Sequence, residues 1–144
     1  MRAVLALIVL LSCAAVRASE PVKSLDALES DLNSCLMKAA KDARCMETIL
    51  GKSILPGNDQ LVGVATQMDQ LLGKWLGTDS VYAVHRLHAK QVGDIYEKRS
   101  YFIEDTTGSL MLFDLALIKR LGKWYVYQFN LTSKSDELSA VLKE

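Results

Sequence analysis

The hydrophobic period of this chain changes once, at Gly77, and that change limits the folds open to it. Before Gly77, the residues Leu61, Val64, Ala65, Met68, Leu71, Leu72, Trp75 and Leu76 form an apolar stripe at helical spacing. Gly77 stands where a helix-ending glycine belongs. After it the apolar residues recur with period 2, which predicts four strands over about residues 80–91, 95–104, 110–120 and 123–132. The connections carry Gly93, Asp105-Thr106-Thr107-Gly108 and Leu121-Gly122, short turns that imply an antiparallel meander. The third strand is apolar on both faces, as a central strand should be.

Upstream, Ser24 is placed to cap a first helix running to about residue 40, and a short second helix fits residues 44–50, stopped by Gly51. Pro56-Gly57-Asn58-Asp59 is a turn, with Asn58 or Asp59 able to cap the long helix. At the far end, Ser133-x-x-Asp136 has the form of a capping box opening a last short helix through residue 142. The expected fold is α+β: N-terminal helices packed on a curled four-stranded antiparallel sheet, with a short C-terminal helix.

The N-terminus predicts export. Met1-Arg2 is followed by an apolar run over residues 3–11, then by Ser12, Cys13, Ala14, Ala15 and Val16. One early charge, a short apolar core and small residues before a polar boundary make a secretory signal peptide. Val16 and Ala18 fit the −3 and −1 positions of a cut before Ser19, so residues 1–18 form the signal and residues 19–144 one domain. Such a run is too short to span a bilayer, which takes about 20 residues, so no stable membrane anchor is expected. Leu10-Leu11-Ser12-Cys13 also loosely matches a bacterial lipobox, which would acylate Cys13. Removing 18 of the 144 residues takes away Arg2 and Arg17 and no acid. That leaves 126 residues with 15 Lys+Arg against 17 Asp+Glu, a formal charge of −2. This overall balance argues against nucleic acid or anionic lipid as a partner.

After the cut two cysteines remain, Cys35 and Cys45, and an even count in an exported chain reads as one disulfide. Ten residues of unbroken helix rise about 15 Å, whereas bridged Cα atoms lie within about 7 Å, so a bridge requires a turn between them. Leu25, Leu28, Leu32, Leu36, Ala39, Ala43, Met46 and Leu50 keep a helical period straight through, and Lys41-Asp42-Ala43-Arg44 has neither Gly nor Pro. Two readings stand: a turn closed by a disulfide, or two buried thiols on one long helix.

Residues 96–129 run as strand, glycine turn, apolar strand, then Gly122-Lys123-Trp124-Tyr125-Val126 and Phe129. With three helices ahead of a curled meander, this resembles the cystatin-like α+β cone of the nuclear transport factor 2-like superfamily, and in particular the C-terminal half of its small exported bacterial proteins. Their last strands carry a Gly-x-Trp-x-Val pattern. The resemblance covers about residues 81–132 and rests mainly on a packing motif, in which a buried Trp124 would close the sheet against Phe129 or Trp75. It implies a site inside the cone, on a scaffold that hosts isomerases, dehydratases, ligand carriers and protein-binding modules.

Two polar residues interrupt otherwise apolar strand faces: His85 among Val81, Ala83, Leu87 and Ala89, and Asp114 among Leu110, Leu112, Ala116 and Ile118. A histidine beside a carboxylate in an apolar cavity could move a proton, so these are the candidate catalytic pair. Tyr96, Tyr101, Tyr125 and Tyr127 are candidate pocket residues. A structural role for all six is the competing reading, because one bulge reverses the facing of every residue beyond it. In a regular strand His88 faces away from His85, so the pair does not make a metal site, and no third or fourth ligand is evident. No cofactor motif is present. Arg86, Lys90, Lys98 and Arg99 are offset by Glu97, Glu104 and Asp105, which reads as a solvated face. Asn130-Leu131-Thr132 is a glycosylation sequon that matters only in a eukaryotic source. The leading expectation is a non-catalytic exported domain that binds a small molecule or a protein partner. The alternative is an isomerase- or dehydratase-like enzyme using His85 and Asp114.

Overall fold

A computed structural model describes residues 19–39 and 43–142. The expected signal segment, residues 1–18 with Cys13, lies outside the described residues, as do Lys41 and Asp42 of the expected connection. The element order is α1 (Leu25–Leu36), a π-helical turn (Met46–Leu50), α2 (Gln60–Leu76), β1 (Val81–Val92), β2 (Tyr96–Asp105), β3 (Leu110–Arg120), β4 (Lys123–Thr132) and α3 (Ser135–Val141). The architecture is α+β, and the four strands pair antiparallel in the order β1-β2-β3-β4, a meander that curls without closing.

Helix α1 starts where its cap predicts: the Ser24 hydroxyl accepts from the Ala27 N–H at 3.3 Å. It ends at Leu36, four residues earlier than expected. The chain turns, and Cys45 returns to Cys35 with Cα atoms 5.6 Å apart and sulfurs at bonding distance, 2.13 Å. The helical period that argued against this turn has a packing cause. Leu36, Ala39, Cys45, Met46 and Leu50 are all buried in one core, so apolar spacing persists across a break in the helix.

The returning segment is wound wider than an α-helix, with the Gly51 N–H donating to the Met46 carbonyl at 3.0 Å. Gly51 is required there, because a Cβ at that position would lie 2.3 Å from the Glu47 carbonyl oxygen. The front of this turn rests on α2. Asp69 accepts from the Met46 N–H at 2.8 Å and from the Glu47 N–H at 2.9 Å. Asp69 is buried, and burial pushes its pKa up against the opposing effect of those two bonds.

Helix α2 buries Ala65, Asp69, Leu72 and Leu76, with Leu71 turned toward solvent. Gly77 ends it at φ 59 and donates to the Gly73 carbonyl at 3.0 Å. The expected caps behave differently. Asp59 holds the N-cap position without a side-chain bond, and the Asn58 amide reaches across to the Tyr127 carbonyl at 3.2 Å. Ser133 does not cap α3 either, since that helix begins two residues later behind Lys134.

The helices roof one side of the sheet. Facing them are Tyr101, Ile103, Met111, Phe113, Leu115, Leu117, Val126, Phe129 and Leu131, which share a core with Leu28, Leu32, Leu36, Leu72 and Leu76. Trp124 lies half-buried at the rim of this core rather than deep in it. Two segments cover part of the β4 edge: Val22 bridges Trp124, and Ile54 bridges Val126. The outer side of the sheet is less covered. There Phe102 and Leu112 are buried next to each other, outside the main core, and α3 folds back against β3. No helix among the described residues is long and apolar enough to cross a membrane.

Candidate functional site

Strand register decides which polar residues meet. Across the sheet, His85 pairs with Phe102, Phe102 with Leu112, and Leu112 with Thr132. One row over, Ser100 pairs with Asp114 and Asp114 with Asn130. Directly paired residues share a face, so His85 and Asp114 both lie on the outer side, away from the main helical core. They do not touch. β2 separates them, about 10 Å across the strands, and they are offset by two residues, about 7 Å along them.

Each already has other partners. His85 Nε2 is 2.7 Å from Glu104 Oε2. The Ser100 hydroxyl donates to Asp114 Oδ1, and Lys98 Nζ lies 3.1 Å from Asp114 Oδ2.

The histidine aligned with Asp114 is instead His88. A register shift between Arg86 and His88 inserts Leu87 as an extra residue and returns His88 to the face of His85, against the expectation for a regular strand. The result is a polar row, His88, Ser100, Asp114 and Asn130, running across all four strands. Ser100 is fully buried and gives its proton to Asp114, so the row is no relay from histidine to serine. Beside it opens a cleft of about 240 Å³ lined by Tyr96, Lys98, Asp114, Ala116, Gln128 and Asn130. The cleft offers an ammonium, a carboxylate, two side-chain amides and an aromatic edge. Such groups can orient a small polar ligand or a polar segment of a partner.

The four candidate tyrosines do not line one pocket. Tyr96 and Tyr125 lie half-buried on the outer face, both opposite Ile118. Tyr127 is the extra residue of a bulge in β4 and sits against the loop that holds Pro56 and Asn58. Tyr101 is buried on the helix side, stacked on Phe113 with ring centroids 5.9 Å apart. Its hydroxyl donates to Glu29 Oε2 at 3.1 Å, and burial together with that carboxylate drives its pKa far up.

Tyr101 belongs to an ionic cluster on the inner face that the charge pattern concealed. Arg99 Nε contacts Glu97 Oε1 at 2.6 Å, Nη1 contacts Glu29 Oε2, and Nη2 reaches Asp26 Oδ1 at 3.5 Å. Arg86 approaches Glu29 from β1 at 3.6 Å. Only 7% of the Arg99 side chain is accessible, so Arg99 and Glu97 are not part of a solvated face. Burial disfavours the charge on Arg99, but the bonds to Glu97 and Glu29 outweigh it and hold its pKa above the ordinary value. Asp105 is likewise drawn in. Its carboxylate accepts from the Thr107 hydroxyl and from the Thr107 and Ser109 N–H groups, which lowers its pKa and pins the β2–β3 turn.

No group of three or more His, Cys, Asp and Glu residues capable of holding a metal occurs among the described residues. Comparison with protein-family models, curated proteins and solved structures finds no match.

Proposed function

We propose that this chain is an exported, non-catalytic binding domain that takes a small ligand or a protein partner on the outer face of its sheet. The observation that carries this reading is the engagement of Asp114. Its two oxygens are held by Ser100 and Lys98, on a face where Gln128 and Asn130 stand exposed beside the cleft. A carboxylate held in place by two donors is an oriented acceptor, which suits it to recognise a polar ligand. Export is supported by the cysteine pair, since a disulfide persists in oxidising compartments. The nuclear transport factor 2-like kinship remains part of the proposal, supported by the order of helices and meander.

The isomerase- or dehydratase-like alternative keeps one point in its favour: His85 and Asp114 share a face. Amide chemical-shift mapping against a library of small polar metabolites separates the readings. Under the binding proposal, shifts concentrate on Lys98, Asp114, Gln128 and Asn130, and the ligand is recovered unchanged. Shifts confined to the helix layer, or chemical conversion of the ligand, would defeat it.

A further inference from the structure

Two hairpin tips lie side by side at one end of the sheet: Gly93-Asp94-Ile95 between β1 and β2, and Leu121-Gly122 between β3 and β4. The Lys119 N–H ties them together by donating to the Ile95 carbonyl at 2.7 Å. Leu121 has φ 51 and Gly122 φ 75, the pair of left-handed residues that a two-residue hairpin of the I′ type demands. The first of those positions ordinarily holds Asn, Asp or Gly. Leu121 is the one non-glycine residue with positive φ among the described residues, and it is 94% exposed. The β3–β4 pairing holds Leu121 in this conformation, at a backbone cost that Asn or Gly would not incur, and the turn places its apolar side chain in water. Ile95 and Val92 at the neighbouring tip are also more than half exposed.

The charge around the tips is one-sided. Residues 90–95 and 118–124 contain Lys90, Lys119, Arg120 and Lys123 against a single acid, Asp94, which pairs only loosely with Lys119 at 3.9 Å. Lys23 adds to this end, because Val22 bridges Trp124. Behind the tips stand the half-buried Tyr96, Trp124 and Tyr125, with the Lys119 ammonium 5.9 Å from the centre of the Trp124 ring. The overall charge conceals this segregation.

Apolar side chains at the extremity with bases around them suit a peripheral contact with an anionic bilayer, in which leucine reaches the acyl boundary and lysine and arginine meet the phosphate headgroups. We infer that this end of the sheet docks on an anionic lipid surface, with Leu121 as the inserted residue. The contact is peripheral and reversible, and it does not depend on the ligand-binding reading of the outer face.

Vesicle co-sedimentation tests it. The protein should pellet with phosphatidylcholine–phosphatidylglycerol vesicles at low salt, lose that binding as salt rises, and stay in solution with phosphatidylcholine alone. Leu121→Asn places the preferred Asn-Gly pair in the turn, so the fold should melt no lower than wild type, yet vesicle binding should fall about tenfold. Arg120→Gln and Lys123→Gln should each reduce binding about fivefold. Failure of the wild type to bind anionic vesicles would overturn the inference, as would unchanged binding by Leu121→Asn. Retention on immobilised polyglutamate without vesicle binding would overturn it in favour of an acidic protein.

Discussion

Lys98 and Arg99 are adjacent in β2 and point to opposite sides of the sheet, and their surroundings differ as much as two basic residues can. Arg99 lies under α1, with contacts to Glu97, Glu29 and Asp26 and its side chain almost wholly out of water. Lys98 meets one carboxylate, Asp114, with 38% of its side chain exposed. On the inner face, charge is a structural element: removing Arg99 leaves Glu97 desolvated and unpaired. On the outer face, the Lys98–Asp114 ion pair and the His85–Glu104 contact stay exposed to solvent, where such pairs stabilise by about 0–1 kcal/mol. The inner face thus holds the fold together, and the outer face can give up its internal pairings to a ligand at little cost.

The sharpest way to break this contrast is to remove each base in turn. Arg99→Met should destabilise by about 3–5 kcal/mol in chemical denaturation, because Glu97 would remain buried without its partner and Glu29 would keep only the Tyr101 hydroxyl and the more distant Arg86. Lys98→Met should change stability by less than about 1 kcal/mol. Equal effects would mean that the two faces are not energetically distinct. Restoring stability in Arg99→Met by adding Glu97→Gln would sharpen the assignment, since it removes the stranded charge rather than the contact.

Much of the fold could be read from the chain. Strand boundaries, turns and the long helix follow from period and glycine placement, and those signals are local. What escaped had non-local causes. Arg99 and Glu97 sit in a stretch of mixed charge that looks solvated, and only the arrival of Glu29 from α1, seventy residues away in the chain, buries them. The alternation of Glu97, Arg99 and Tyr101 on one face was a signal, but it needed a helix to interpret it. Asp69 interrupts the buried stripe between Ala65 and Leu72, a second signal of an acid with a specific partner. Regular alternation puts His88 on the wrong side, because a bulge has no reliable mark in sequence. Leu87 looks like any strand residue, yet it shifts the register for everything after it.

Two predictions probe the helical roof that makes the inner face different. Replacing Cys35 and Cys45 together by Ser should cost about 2–4 kcal/mol, read as a loss of denaturation midpoint, because the covalent closure between α1 and the π-helical turn is then lost. Asp69→Asn should cost less, about 1–3 kcal/mol, since one of two backbone N–H groups loses its acceptor. That difference should depend on pH. The folded protein holds the Asp69 proton more tightly than the unfolded chain does, so wild-type stability falls as pH rises through the carboxylate range, from about pH 4 upward. The asparagine variant lacks this loss. Its deficit should therefore be greatest in acid and shrink toward neutrality, and a deficit that grows with pH would show Asp69 stabilised as the anion.

The smallest expected effects fall on the two residues that the sequence offered as an acid–base pair. His85 and Glu104 are partly exposed, as are Asp114 and Lys98, so His85→Gln and Asp114→Asn should each shift stability by less than about 1 kcal/mol. Their weight lies in how they couple. If the pair acted on one substrate atom, both would have to come within hydrogen-bond reach of it, about 3 Å, whereas β2 keeps them apart. Ligand affinity in the two single variants and the double variant should then be additive, with Asp114→Asn carrying the larger change because Asp114 lines the cleft and His85 does not. Strong non-additivity, or equal losses from both, would place them in one site after all and make the outer face a centre of reaction rather than of recognition.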